Sequence, residues 1–311
     1  MKFAGMKFAA IDIGSNSIKL VVVEAADDSF AVLARKREVV RLGHETLLKG
    51  YISRAAIARA AKCIRRLRSV ADARGAESIV AIATASVREA NNSARFVRRM
   101  EKKTGVRIAV LSGKEEARLI GLAASQGCAA KGSATLNIDI GGGSTEISIF
   151  RKGRPLKLAS MKLGAVGLTE RFLTSDPPRG RQLKDLRSEI EATLESPARK
   201  LREYKWDTAT GTSGTILAVA AALRRQSTNG QNITLKDLTQ WNALISIMNM
   251  NERREFAGLS MRRAEIIIAG AHILEGTMRA LGIKSLQTCD WSLREGVIID
   301  RLSSRKRVKR A

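Results

Sequence analysis

The chain has 311 residues, more than one hydrophobic core commonly serves, and its 44% apolar content is enough to build two. Fifty-five Lys and Arg against 30 Asp and Glu leave a net charge of +25, which draws polyanions at long range: nucleic acid, an anionic membrane surface or a polyphosphorylated substrate. Cys63, Cys128 and Cys289 have no close spacing and suggest neither a zinc knuckle nor a disulfide framework, and no stretch reaches the roughly 20 apolar residues of a bilayer span, so a soluble protein of a reducing, cytoplasmic setting is expected, with no membrane partner.

In chain order, Ile11-Asp-Ile-Gly-Ser-Asn-Ser-Ile-Lys-Leu20 predicts a β-hairpin with a polar tip. A third strand is predicted over Ala31 to Val40, and a helix from Ser53 to Arg74 with the apolar stripe Ile57, Ala61, Ile64, Leu67 and Ala71. Strand Ile79 to Ala83, helix Val87 to Lys103, strand Val106 to Leu111 and helix Lys114 to Ser125 then alternate, which implies a sheet with crossover helices. Ile138-Asp-Ile-Gly-Gly-Gly-Ser-Thr-Glu-Ile147 repeats the first hairpin in register and restarts the plan. A third strand near Leu156 to Met161, a helix near Leu183 to Glu203 bent or interrupted at Pro197, a strand near Thr208 and a buried helix over Ala264 to Leu281 follow. The expected partition is residues 1–124 and 125–303, with a basic tail over 304–311 outside the core.

The chemistry gathers at junctions. Gly14, Ser15, Asn16 and Ser17, and Gly141, Gly142, Gly143, Ser144 and Thr145, sit at strand ends where free N–H groups form anion nests; ordinary hairpin tips are the alternative. Asp12 and Asp139 lie within apolar strands, where an ionised carboxylate needs a partner. Mg2+ on Asp139 and Glu146, with Asp12 nearby, is one answer, and self-capping of a turn is the other.

Ser86-Val-Arg-Glu89 fits a capping box that places Arg88 in a first helical turn, where a bound anion would favour it. Ser112-Gly-Lys-Glu115 fits another, which leaves Glu116 as a candidate general base or a solvated glutamate. Gly211, Thr212, Ser213, Gly214 and Thr215 form a fourth junction, whose N–H groups and hydroxyls suit a phosphate, a nucleotide or simply a helix start. A further box at Ser292 to Glu295 starts the last helix, and neither His44 nor His272 has a metal-ligand spacing.

Taken with Ala83-Thr-Ala-Ser-Val-Arg88, Ser112 to Arg118 and Leu293-Arg-Glu-Gly296, these motifs resemble the exopolyphosphatase and guanosine pentaphosphate phosphohydrolase family, in the superfamily of actin, sugar kinases and heat-shock chaperone ATPases. The resemblance implies an α/β fold of two duplicated ribonuclease-H-like (actin-like ATPase) domains, each a mixed sheet flanked by helices, with an interdomain cleft. It implies phosphates on the loops at Gly14 and Gly142, Arg88 on the reacting end, Glu116 activating water, and Asp139 with Glu146 serving Mg2+. Inorganic polyphosphate or guanosine pentaphosphate is the implied substrate, and a homodimer the implied assembly. The chain ends soon after Asp300, like the short two-domain members. A superfamily kinase and a noncatalytic polyanion binder are the competing readings, and nonspecific nucleic-acid binding at low salt is expected of so basic a chain.

Overall fold

The computed structural model describes residues 5–26, 29–44, 46–128, 134–226 and 232–308. β1 (Lys7–Ile13) and β2 (Ser17–Ala25) form the first predicted hairpin and β3 (Phe30–Val39) extends it, followed by α1 (Thr46–Lys49) and α2 (Arg54–Ala73). Then come β4 (Ser78–Ala83), α3 (Ala85–Arg88), α4 (Ser93–Thr104), β5 (Ile108–Val110) and α5 (Gly113–Gly127). The next stretch runs β6 (Ala134–Ile140), β7 (Thr145–Arg151), β8 (Arg154–Met161), α6 (Ala165–Phe172), α7 (Gly180–Leu201), β9 (Thr208–Thr212) and α8 (Ser213–Gln226). The chain closes with β10 (Asn232–Thr234), α9 (Leu235–Ser246), α10 (Met250–Ala257), α11 (Met261–Ala264), α12 (Ile267–Leu281), β11 (Ser285–Thr288) and α13 (Leu293–Val308).

The strands make two mixed sheets, ordered β3-β2-β1-β4-β5 and β10-β11-β9-β6-β7-β8. In each, an antiparallel three-stranded meander is continued by a parallel strand beside its first member: β4 beside β1, and β9 beside β6. This is the duplicated plan that the repeat predicts. Because β1 and β6 are central, both of their faces are covered: β1 is buried from Phe8 to Ile13, and every residue of β6 is buried, with Thr135, Asn137 and Asp139 alternating with apolar residues.

Two helices fill the space between the sheets. α5 lies on β7 and β8, α13 returns to lie on β1 and β2, and the two pack against each other. Their shared core joins Leu119 and Ile120 of α5 and Val297 and Ile298 of α13 to Phe8 and Val21. The approach is close enough that a Cβ on Gly296 would stand 2.0 Å from the Leu119 carbonyl oxygen, so this position of the last motif needs glycine. α12 is buried along most of its length against α6, α7, α8 and α9, with Gly270 facing Thr215 and Gly276 facing Ile190.

Four expectations are corrected. The predicted helix from Val87 to Lys103 is split into α3 and α4, and Ser86 is not an N-cap: it is buried inside α3, and its hydroxyl finds no hydrogen-bond partner among the described residues. The break has a tertiary cause, because Asn91 donates its N–H to the Gly50 carbonyl and the Asn92 amide bonds both the N–H and the carbonyl of Ile52. α7 runs through Pro197 without interruption. Residues 304–308 of the expected tail continue α13. Finally, Cys128 and Cys289, 161 residues apart, are joined in a disulfide between the C-terminal end of α5 and the segment preceding α13, while Cys63 is free and buried. Sequence spacing carries no information about such a pair, because the fold alone brings the two ends together. Among the described residues, no helix is long and apolar enough to cross a membrane.

Candidate active site

The two hairpin tips meet. Gly14 N–H donates to the Ser17 carbonyl at 3.2 Å and Gly141 N–H to the Ser144 carbonyl at 2.8 Å, so these two donors close their own turns and only the intervening residues remain for an anion. The first tip is tied to the end of β3 by N–H groups of Val40 and Arg41 on the Asn16 carbonyl. The second is tied to α6, where Ala165 and Val166 donate to the Gly141 and Gly142 carbonyls. A Cβ on Gly142 would lie 2.9 Å from Ser15 Cβ, and one on Gly164 would lie 2.3 Å from the Gly142 carbonyl oxygen. Glycine at both places lets the two tips and α6 close on one another.

The tips enclose a cleft with a cavity volume of about 80 Å3. Of the residues singled out from the sequence, Asp12, Gly14, Ser15, Asn16, Ser17, Glu116, Asp139, Gly141, Gly142, Gly143, Ser144, Ser213 and Gly214 line it. Thr145 does not, because its hydroxyl is turned inward to the Leu163 carbonyl at 2.6 Å. Gly211 and Thr212 lie one step back in β9, and Thr212 supports the site by donating to Asp139 Oδ2 at 2.6 Å. Glu146 is fully enclosed behind the cleft. Arg88 borders the neighbouring groove and reaches across to Glu116.

Sequence reasoning missed Lys19, Arg37 and Arg263, and it named Thr84, Thr215 and Ser292 only as members of their motifs; all six line the same cleft. Lys19 had a signal, since it aligns with Glu146 in the repeat. Arg263 had none among 55 Lys and Arg. Ser292, read as a helix start, does accept that role in part, for its N–H donates to Glu295, but its hydroxyl donates to Asp139 Oδ2 at 3.0 Å.

The site is crowded with buried carboxylates. Glu116 extends from the first turn of α5, where Ser112 Oγ accepts from Glu115 N–H, and Glu115 turns away to Arg118. Burial is the main force pushing the Glu116 carboxyl up to about 7; Arg88 opposes that rise, and Asp12 and Asp139 add to it. Arg88 Nη1 lies 2.8 Å from Glu116 Oε2 and also bonds the Leu111 carbonyl. Burial lowers the Arg88 pKa, yet the bond and the charge of Glu116 hold it above its ordinary value.

Asp139 is raised by burial against the bonds from Thr212 and Ser292, and Glu146 is raised well above the carboxylate range by burial, Glu116 and Asp139. Glu146 Oε1 accepts from Ser160 at 2.8 Å, while its Oε2 is buried with no hydrogen-bond partner among the described residues. Asp12 Oδ2 has Lys19 Nζ at 3.5 Å. Opposite this acidic wall, Arg263 is pushed down to about 10 by burial and by Arg37. A pocket with carboxylates on one side and unneutralised guanidinium groups on the other suits an anion that arrives with a cation.

Among the described residues no three His, Cys, Asp or Glu side chains form a complete cation cage. Asp12 and Asp139, both facing the cleft with the orphaned Glu146 oxygen behind them, suit a hard cation that keeps waters and takes its remaining ligands from a phosphate.

The sequence pattern of the Ppx/GppA phosphatase family matches residues 21–305. Exopolyphosphatase 1 of Mycobacterium leprae is 35% identical over 306 residues, covering 96% of this chain and 90% of that protein. The crystal structure of an exopolyphosphatase from Cytophaga hutchinsonii has the same fold, with a TM-score of 0.88 at 23% identity over 96% of this chain and 98% of that one. The Aquifex aeolicus Ppx/GppA family member superposes with a TM-score of 0.80 at 26% identity over 96% of this chain and 98% of that one.

Proposed function

This chain belongs to the Ppx/GppA phosphatase family and is a hydrolase of phosphoric anhydride bonds; we propose that it removes the terminal phosphoryl group of inorganic polyphosphate. The observation that carries this reading is Glu116: a carboxylate buried at the edge of a cleft lined by two glycine- and serine-rich tips, anchored by Arg88 at 2.8 Å and poised near neutral pH. A general base is most effective when its pKa lies near the working pH. In the proposed reaction, Glu116 takes a proton from water at Oε and directs the oxygen in line at the terminal phosphorus; as that P–O bond forms, the bridging P–O bond opposite it breaks and the shortened chain leaves with the electron pair on its new terminal oxygen.

Arg88 holds Glu116 in place and offers its remaining N–H groups to the transferred phosphoryl oxygens, and the tips at Ser15 and Gly142 supply further donors. The electropositive side formed by Lys19, Arg37 and Arg263 orients the phosphates that stay behind. Asp12 and Asp139 would hold Mg2+, which supplies charge neutralisation on phosphate oxygens. The net charge of +25 favours a polyanionic substrate.

The test is phosphate release in Mg2+ from tripolyphosphate, long polyphosphate and guanosine pentaphosphate, with Glu116→Gln alongside. Release from polyphosphate that falls about 100-fold or more in the variant is the expected outcome. Release from guanosine pentaphosphate alone reassigns the substrate, and adenosine diphosphate formation that needs a second acceptor makes the protein a kinase.

A further inference from the structure

A cavity of about 340 Å3 is walled by α7, α9 and α12 and shares no residue with the catalytic cleft. Spaces of about 300–1,000 Å3 take small molecules. Glu275 is spent within its wall: Oε1 accepts from Thr239 Oγ1 at 3.0 Å and from Arg279 Nη2 at 2.8 Å, and Oε2 accepts from Asn242 Nδ2 at 2.7 Å. Burial pushes the Glu275 carboxyl up, but these bonds outweigh it and hold the group below its ordinary value, ionised and paired with Arg279. Asn242 is 1% exposed, and its Nδ2 is taken by Glu275 and the Ala271 carbonyl. Its Oδ1 is left with no hydrogen-bond partner among the described residues. An unpaired buried acceptor is costly, and a donor that arrives from outside would satisfy it.

His272 lines the same cavity and is pushed down to about 4 by burial and by Arg187, so its ring is neutral at neutral pH. Its Nε2 lies 3.1 Å from Ser246 Oγ, but Ser246 is buried and does not line the cavity, so the pair offers no nucleophile to a substrate. Arg187 and Glu191 stand one turn apart on α7, both exposed, and neither has an ion-pair partner among the described residues. The free charges around the cavity are therefore one cation and one anion, and the unmet need inside is for a donor. A nucleotide or a phosphate chain brings several negative charges and meets Glu191 with repulsion. A free α-amino acid brings one carboxylate and one ammonium with three N–H donors. We propose that this cavity binds a free α-amino acid with an aliphatic side chain: carboxylate on Arg187, ammonium between Glu191 and Asn242 Oδ1, side chain against Ile190 and Ala243.

The test is a thermal-shift screen of the full chain against each of the common amino acids at about 10 mM, with calorimetry on those that raise the melting temperature. Valine, leucine or isoleucine is expected to bind. Its N-acetyl derivative, which lacks the ammonium, and its carboxamide, which lacks the carboxylate, are each expected to bind about five- to tenfold more weakly. Arg187→Ala and Glu191→Ala, both at exposed positions where folding is not at stake, are expected to weaken the free amino acid by the same factor. Arg181→Ala/Asp185→Ala, which removes an exposed pair of opposite charges elsewhere on α7, should leave it unchanged. Absence of binding by every aliphatic amino acid overturns the proposal, as does binding that survives intact in both Arg187→Ala and Glu191→Ala. Adenosine monophosphate or inorganic phosphate that binds through Arg187 where no amino acid does also overturns it, and makes the cavity an anion site.

Discussion

Asp139 pairs directly with Glu146 across the β6–β7 ladder, at the place where the β1–β2 ladder sets Asp12 against Lys19. The two halves of the repeat therefore differ in one charge at equivalent positions. The first half sets a lysine against its carboxylate, and the second sets another buried carboxyl there. Like charges directly opposite each other are destabilising, so a fold that keeps such a pair retains it for binding or catalysis.

The pair makes stability depend on pH with a definite sign. The Glu146 carboxyl is raised well above its ordinary 4.5, chiefly by burial. A group raised on folding contributes stability that is complete below its unfolded pKa and is lost as pH climbs toward the folded one. The melting temperature without divalent metal is expected to decline as pH rises from about 4.5 toward neutrality, and Glu146→Gln to flatten that decline. Parallel pH curves for the two proteins in a thermal-shift series contradict the assignment.

Glu116 must be ionised to accept a proton, so kcat/KM is expected to rise with pH through a midpoint near 7. Arg88 favours the ionised form, so Arg88→Ala moves the midpoint upward as well as lowering the plateau, and Arg88→Lys restores part of both. A midpoint that stays in place when Arg88 is removed breaks the link between the two residues.

Gly164→Ala is expected to disable the second phosphate tip. Its Cβ would stand 2.3 Å from the Gly142 carbonyl oxygen and 2.4 Å from Gly143, backbone atoms that cannot rotate away. Overpacking of this kind costs about 1–3 kcal/mol, and the displaced tip should lower phosphate release further than the stability loss explains. Gly180→Ala, where a Cβ meets nothing within 4 Å, serves as the control and should behave as wild type in both measurements.

The Cys128–Cys289 bridge joins the end of the helix that carries Glu116 to the segment that leads to Ser292. Closing a loop between residues 161 apart restricts the unfolded chain, by up to about 5 kcal/mol in the chain-entropy account. Reductant or Cys128→Ser should therefore lower the melting temperature by several degrees, and reductant should do nothing further to the variant. An oxidised wild type that melts where the Cys128→Ser protein melts sinks this expectation.

Much of the architecture is legible in one dimension. Ile11 to Leu20 and Ile138 to Ile147 announce two hairpins in register, and the alternation after each predicts the parallel strand that joins its first member. Such signals are local, because strand period, glycine turns and helix stripes depend on neighbours within a few residues. The same locality explains the failures. Val87 to Lys103 has a helical pattern, but Asn91 and Asn92 are claimed by Gly50 and Ile52, and the helix breaks there.

The duplicated sheets, the two polar tips and the carboxylates beside them follow from the chain's local patterns, since each is a property of a short segment. Which groups share the cleft depends on long-range packing. It brought Ser292 to Asp139 and Arg263 into the same cleft, withdrew Glu146 and Thr145 behind the surface, joined Cys128 to Cys289, and folded α13 back onto the first sheet. The reason is the packing of α5 and α13 between the two sheets, a contact among residues more than a hundred positions apart that no local pattern encodes.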